Sequence, residues 1–415
     1  MPKSEVNLIL GGPQGAGLET SMSVLGYALA WSNYGFIADR EYFSNIKGRH
    51  SYIHIRVSSR NIPRSLTYPV DLIVAMDSET VFTHFDDLRN GGILIYDKTT
   101  NGKDIESLLS IEEPLKERLK NKLSSLGLEP KISQLVSYLR DYKNVVVVDL
   151  NYAEILDSIN KEFKLSPQQS SRYVSSILIG AVSTILGLDI ESLTYGFTRH
   201  FRERKDLITQ NLEIAKLVRN IVGKYDISEL IIESPITEFK ELVIASGNDI
   251  VAMGKIVGGL RYQSYYPITP VADESFTLER YEKLKVEEEI ASLVVLQTED
   301  EIAAIASAIG ASLTGVRSAT ATSGPGFSLM VKGLSWAGMN EVPVVITYYQ
   351  RDGPSTGLPT RGSQSDLLFS IFAGHGEFLR VVISSGDHLE AFYDAIEAFN
   401  IAERYQVPVI HLLTR

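Results

Sequence analysis

Two segments of the chain place residues suited to gripping a small anion on stiffened backbone. One is Tyr266-Pro267-Ile268-Thr269-Pro270. The other runs Gln350-Arg351-Asp352-Gly353-Pro354-Ser355-Thr356-Gly357-Leu358-Pro359-Thr360. Proline fixes φ, and glycine permits turns that other residues make only with strain. Hydroxyls at Thr269, Ser355, Thr356 and Thr360 offer hydrogen bonds, and the Arg351 guanidinium can hold a carboxylate through two parallel ones. That combination describes a rigid cup for a small anionic substrate.

Three further loops carry chemistry-bearing types. In Gln297-Thr298-Glu299-Asp300-Glu301 a carboxylate stands at a strand-to-helix junction, where it either caps the helix or faces a cofactor. Thr322-Ser323-Gly324-Pro325-Gly326-Phe327 follows a short strand, and in open α/β sheets ligands bind at that end of the strands. Gly11-Gly12-Pro13-Gln14-Gly15-Ala16-Gly17 resembles a phosphate-binding turn, in which Gly12, Gly15 and Gly17 let backbone N–H groups approach an anion. It is not a strict GxGxxG, so a tight strand-to-helix turn that binds nothing fits equally well. Lys47 and Arg49 add positive charge nearby, or form a solvated pair.

The elements that must position these loops alternate strand and helix. Short Val/Ile-rich runs predict strands at Val6–Leu10, Ser51–Val57, Asp71–Met76, Ile93–Tyr96 and Asn144–Leu150, with a helix over Leu18–Asn33. The pattern stays helical over 112–142 and 152–224, with Ser166-Pro167 as a helix start. Periodicity weakens over 226–245, read as a connector between a domain at 1–225 and one at 246–415. The second series predicts helices over 250–262, 300–313 and 388–404. Its strands are Ser292–Leu296, Ala319–Ala321, Val344–Tyr348, Leu379–Ile383 and Val407–Leu412. Both halves read as α/β with mostly parallel sheets. A buried-type strand running almost to Arg415 suggests that more chain follows.

Composition narrows the function classes. A net charge of −11 over 415 residues argues against nucleic acid or an anionic membrane as the main partner. No apolar run reaches the ~18 residues of a membrane span, and the N-terminal run is too short for a secretory signal, which leaves the cytoplasm as the default. Without cysteine, the chain has no thiol nucleophile and no cysteine-ligated cluster of its own. His50 and His54 have the four-residue spacing of helix metal ligands, but in a strand this makes them same-face neighbours only.

Through YPITP, QTEDEIAA, TSGPGFSLM and QRDGPSTGLPT, the chain resembles the 2-oxoacid:ferredoxin oxidoreductases. More closely, it resembles the α subunit of the archaeal two-subunit type, in which a γ-like domain is fused ahead of the α region. GGPQGAG and its helix carry the resemblance of the first ~220 residues. The resemblance implies a Rossmann-like γ domain followed by a thiamine-diphosphate pyrimidine-type domain. It implies coenzyme A-dependent oxidative decarboxylation of 2-oxoacids such as pyruvate and 2-oxoglutarate, with electrons passing to ferredoxin. Thr269, Arg351 and Thr360 would contact the 2-oxoacid, and Glu299 would bond the aminopyrimidine ring of thiamine diphosphate. Pro267, Ile268, Ser323 and Gly324 would complete the cofactor wall, and Gly12, Gly15 and Gly17 could meet coenzyme A.

No metal site is implied on this chain. The resemblance places Mg²⁺, the diphosphate site and a [4Fe-4S] cluster on a partner β subunit, in an αβ or (αβ)₂ complex; no GDG…N segment is present here. Two departures stand out. The family normally continues into another α/β domain beyond the point where this sequence ends, and Gly247-Asn248-Asp249 replaces the more usual Gly-Asn-Glu. Two alternatives remain: an indolepyruvate-type or other thiamine-diphosphate oxidoreductase subunit, separable by a substrate panel, and a non-catalytic nucleotide-binding assembly subunit that uses Gly11–Gly17.

Overall fold

The computed structural model describes residues 3–42, 48–166, 173–227, 231–236, 239, 241–286, 289–358 and 362–414. The chain forms two compact units, Met1–Ile244 and Ala245–Arg415.

In the first unit the described residues form a six-stranded sheet of β1 (Glu5–Pro13), β2 (Gly35–Tyr42), β3 (His50–Ser58), β4 (Val70–Ala75), β5 (Leu88–Asp97) and β6 (Val146–Leu150), in the order β2-β3-β1-β4-β5-β6. Strands β1, β4, β5 and β6 are parallel, and β3 and β2 extend the sheet antiparallel beyond β1. Successive side chains of a strand point to opposite faces. On β1, Val6, Leu8 and Leu10 therefore pack with the helices Leu18–Trp31, Val174–Ile185, Ile190–Phe201 and Lys205–Val222, whereas Ile9 joins the core beneath Ser78–His84, Glu113–Ser125 and Ile132–Tyr142. With both faces covered, the central strands are apolar almost throughout.

Strand β2 is absent from the sequence-based expectations, and β6 begins two residues later than expected. The proposed helix start at Ser166-Pro167 falls partly outside the described residues. Part of the expected connector belongs to the first unit. Ile227 and Ile232 are buried there, the Glu233 N–H donates to the Lys3 carbonyl (2.8 Å) and the Ile236 N–H to that of Ser59 (3.0 Å).

The second unit is built on six parallel strands: β7 (Tyr262–Tyr265), β10 (Val294–Gln297), β11 (Ser318–Ser323), β12 (Val344–Tyr349), β13 (Val381–Ser384) and β14 (Val409–Leu413). Their order is β10-β7-β11-β12-β14-β13. A separate hairpin pairs β8 (Lys283–Val286) with β9 (Glu289–Ser292). Val344, Ile346 and Tyr348 pack under the helices Glu301–Ser312 and Pro325–Met339, while Val345 and Val409 meet Gly247–Val257 and His388–Tyr405. The helix expected over 250–262 stops at Val257, and Tyr262–Tyr265 is a strand instead.

This register decides where the loops go. Gln297 pairs with Tyr265, Tyr265 with Ala321, Ser323 with Tyr349, and Tyr349 with Leu413. The carboxyl ends of five parallel strands are thus level, and the loops at 266–270, 298–300, 324 and 350–358 leave by the same edge. From β7 the chain crosses to β10 on one side and then to β11 on the other. The topological switch point, where open sheets bind ligands, lies between β7 and β11.

Candidate functional site at the carboxyl edge of the second sheet

Arg351 lies two residues beyond the end of β12 and is buried, with 7% of its surface exposed. One of its terminal nitrogens, Nη1, donates to the Thr269 carbonyl (3.2 Å), which joins the loop after β7 to the loop after β12. Nη2 donates to the Thr356 carbonyl. Burial lowers the pKa of this guanidinium, yet arginine stays charged in proteins. Of its five N–H donors, the Nε one is buried and unpartnered among the described residues, and the rest of the fork retains capacity beyond the two carbonyls.

Behind the guanidinium lies Gly324, which follows β11 and caps the helix Pro325–Met339. Its φ of 44° and ψ of −112° disfavour any side chain, and a Cβ there would sit 3.0 Å from the Arg351 Cβ. The glycine therefore serves two needs, an unusual backbone conformation and the close passage of Arg351. The Tyr348 hydroxyl donates to the Gly324 carbonyl (3.2 Å). The neighbouring Ser323 is fully buried, and its hydroxyl has no partner among the described residues. A buried hydroxyl without a partner costs free energy unless a ligand or water completes it.

The loop after β7 is held from two directions. Ile268 packs against Val251, Val271, Ala321 and Tyr349. The Asn248 side-chain amide donates to the Pro270 carbonyl (2.9 Å). Pro267 and Ile268 are half-buried. Thr269 offers its carbonyl, rather than its hydroxyl, to Arg351. Thr360 lies outside the described residues.

The three consecutive acids divide their roles. Asp300 is the helix cap, accepting from the Ala303 N–H at 2.7 Å. Glu299, one residue earlier, is exposed on the loop. That loop is anchored where the Thr298 N–H donates to the Tyr265 carbonyl at 2.8 Å, so Glu299 leaves from the end of the strand beside the Thr269 loop. Glu301 is buried, and desolvation raises its pKa. A Cβ on Gly326 would lie 2.5 Å from its Oε1. Sequence reading singled out Glu299 and passed over Glu301. The missed signal is helical phase: Glu301, Ala304, Ile305, Ala308, Ile309 and Ser312 share one buried face.

The structure therefore joins Thr269, Gly324 and Arg351 by direct contact, and sets Glu299 and Ser323 at the same strand edge. The Ser323 hydroxyl and the Arg351 Nε donor are buried without a partner among the described residues, and the Glu299 carboxylate is exposed at the same strand edge.

In the first unit the glycine loop is only partly a turn. Gly12 lies within β1, where a Cβ would collide with Met76 (2.7 Å), so its lack of a side chain is explained by packing. Gly15 (φ 91°) and Gly17 (φ 94°) do have turn geometry, and Gly17 caps the helix Leu18–Trp31. The nearby cations are engaged. Arg40 holds Gln14 (2.6 Å) and Glu19, and Arg49 donates to the Ser110 carbonyl (2.9 Å). Lys47 is outside the described residues. His50 contacts His84, with 3.1 Å between the Nε2 atoms, while His54 meets the Tyr68 ring at a tilt of 58°.

The pyruvate ferredoxin/flavodoxin oxidoreductase family matches residues 7–221. The family described as pyruvate flavodoxin/ferredoxin oxidoreductase, thiamine diphosphate-binding, matches residues 253–414. A curated relative, 2-oxoacid:ferredoxin oxidoreductase 1 subunit alpha of Aeropyrum pernix, is 55% identical over 415 residues, which is 100% of this chain and 65% of that protein. The 2-oxoglutarate synthase subunit KorA of Methanothermobacter thermautotrophicus is 43% identical over 170 residues, covering 40% of this chain and 42% of that one. Among solved structures, the 2-oxoglutarate:ferredoxin oxidoreductase from Magnetococcus marinus, with 2-oxoglutarate, coenzyme A and succinyl-CoA bound, superposes with a TM-score of 0.79 at 27% identity. That match covers 99% of this chain and 63% of that one. The chain thus spans about two thirds of the length of the Aeropyrum relative and of the Magnetococcus structure.

Proposed function

The chain belongs to the pyruvate ferredoxin/flavodoxin oxidoreductase family, and on that premise we propose that it is the α subunit, with a fused γ-like domain, of a 2-oxoacid:ferredoxin oxidoreductase. The complex would convert a 2-oxoacid and coenzyme A to acyl-CoA and CO₂, with electrons passing to ferredoxin. The observation that carries this reading is the buried Arg351 guanidinium, bonded to the Thr269 carbonyl at the carboxyl edge of a parallel sheet. The guanidinium addresses the carboxylate common to all 2-oxoacids; pyruvate and 2-oxoglutarate are favoured among them because the matching families are named for pyruvate and a similar relative for 2-oxoglutarate.

Thiamine diphosphate supplies a carbon nucleophile and an electron sink for decarboxylation. This chain's own residues do the rest of the work on its side of the cleft. Arg351 neutralises and orients the substrate carboxylate. The Thr269 loop, stiffened by Pro267 and Pro270, forms the wall beside it. Glu299 would hold a ring nitrogen of the cofactor by a hydrogen bond, and its carboxyl would help fix where a proton rests there. Ser323 and Gly324 line the floor, with the glycine admitting the close approach that a side chain would block. Gly15 and Gly17 give the first unit a place for a phosphate of coenzyme A.

The diphosphate, its Mg²⁺ and the [4Fe-4S] cluster are assigned to a partner β subunit in an αβ or (αβ)₂ complex. Exposed Trp336 and Met339 on the helix Pro325–Met339 suit such a contact. No helix among the described residues is long and apolar enough to cross a membrane, and a cytoplasmic location accords with the ferredoxin chemistry.

Co-expression with a β subunit carrying the cluster cysteines tests the proposal. The expected product is a brown, thiamine-containing complex that reduces a viologen only when 2-oxoacid and coenzyme A are both present. A colourless chain that binds no partner and reduces nothing would refute it.

A further inference from the structure

Beneath the cup lies an ionic cluster with no role in the chemistry above. Lys255, Gln263, Glu274 and Ser275 are completely buried, and Tyr349 is 3% exposed. The Lys255 ammonium donates to the Gln263 carbonyl oxygen (2.8 Å) and pairs with Oε1 of Glu274. The Gln263 amide donates to the same Glu274 oxygen (3.1 Å) and to the Ser275 hydroxyl (2.8 Å). Oε2 of Glu274 accepts from the Tyr349 hydroxyl (3.1 Å). Replacing a buried ion pair with apolar groups is often neutral or favourable, so stability alone is a weak reason for this one.

The places of these residues in the chain suggest another reason. Glu274 is in the first turn of the helix Ala272–Arg280, which continues directly from the Thr269–Pro270 turn: the N–H groups of Val271 and Ala272 both reach the Ile268 carbonyl. Tyr349 ends β12, two residues before Arg351. The contacts therefore close a ring. Above, Arg351 meets the Thr269 carbonyl; below, Tyr349 meets Glu274. Lys255 and Gln263 hold the Glu274 carboxylate from the helix Gly247–Val257 and from β7. We propose that Glu274, held by Lys255 and Gln263, is a positioning residue that acts through Tyr349 to fix the spacing between the Thr269 and Arg351 loops, and so sets the affinity for the 2-oxoacid carboxylate. This inference rests on the reading of Arg351 given above.

The test uses the assembled complex and three variants. Tyr349→Phe removes one hydroxyl and keeps the ring. It should raise the KM for the 2-oxoacid by about tenfold, with the KM for coenzyme A and the thiamine content nearly unchanged and a lower melting temperature, since Oε2 of Glu274 loses its buried partner. The double variant Lys255→Met/Glu274→Leu removes both charges together, so it leaves no unpaired ion, and it should show the same selective rise. Loss of folding alone would lower kcat through the active fraction and leave both KM values in place.

Arg351→Ala serves as the reference. If it impairs 2-oxoacid use while Tyr349→Phe leaves the 2-oxoacid KM unchanged, the positioning role is wrong and the cup stands. If Arg351→Ala is itself without effect, the cup fails and the positioning role fails with it.

Discussion

At the level of single residues, the informative contrast is between Glu299 and Glu301. They are two positions apart, one exposed and one buried. Under the proposed function the exposed one would face the cofactor, whereas the buried one lies on the inner face of its helix. Glu299→Gln should therefore lower turnover by at least about 100-fold, the scale of a lost proton-handling group, with thiamine content and substrate KM changing far less. Glu301 behaves oppositely. Burial raises its pKa, so the folded chain holds a proton that the unfolded chain has already released. Stability is then lost as pH rises above the ordinary glutamate range. Glu301→Gln removes that loss and should raise the melting temperature at pH 7 while activity is retained. If Glu301→Gln proved inactive and Glu299→Gln active, the two assignments would have to be exchanged.

At the level of elements, the site depends on how β11 and β12 end. Gly324 combines a positive φ with a near contact to Arg351. Gly324→Ala should cost about 1–3 kcal/mol of stability through backbone strain and, by pushing Arg351 aside, reduce kcat/KM for the 2-oxoacid more than for coenzyme A. Denaturant unfolding and steady-state kinetics on the same preparation would check both. Equal losses for the two substrates would point to folding alone. The loops at these strand ends were readable from sequence because proline, glycine and hydroxyl residues clustered after short apolar runs.

Four strands among the described residues, β2, β7 and the β8–β9 pair, were not readable, the first two for different reasons. Strand β2 contains Asp39, Arg40 and Glu41 and pairs only with β3 among the described residues, so its charges sit on a sheet edge, where they discourage further pairing. Strand β7 reads Tyr-Gln-Ser-Tyr. Its Gln263 and Ser264 are fully buried, but they are satisfied by Glu274, Ser275 and the Ala304 carbonyl (2.6 Å for Ser264), and no apolar run announces them. The sequence could not tell that Gly12 lies within β1 and packs against Met76, because a packing glycine and a turning glycine look alike in sequence.

At the level of the whole molecule, each unit carries a buried neutral histidine that must gain a proton on acid unfolding. Desolvation lowers the pKa of His54 in the first unit to about 4. In the second, desolvation and then the Lys255 charge lower that of His411 to about 3. The unfolded chain binds these protons near the ordinary value of 6.5. The stabilising contribution is complete above that pH and is lost as pH falls toward 4 and 3, amounting to roughly 3 kcal/mol for His54. Urea unfolding should show lower stability at pH 5 than at pH 7, and His54→Gln should shrink the difference; an unchanged pH slope would contradict the assignment. Under the proposed function, catalysis would divide between two chains: the carboxyl edge of the second sheet would supply a carboxylate grip and a cofactor-facing acid, and a partner would supply the diphosphate site and the electron exit.

The most direct test of that division is the kcat/KM of Arg351→Ala for the 2-oxoacid, measured in the complex assembled with its β subunit. A loss of about 2–3 kcal/mol in transition-state stabilisation is predicted, on the order of 30- to 150-fold, with bound thiamine diphosphate and the coenzyme A KM unchanged. A variant that turned over the 2-oxoacid at the wild-type kcat/KM would contradict it.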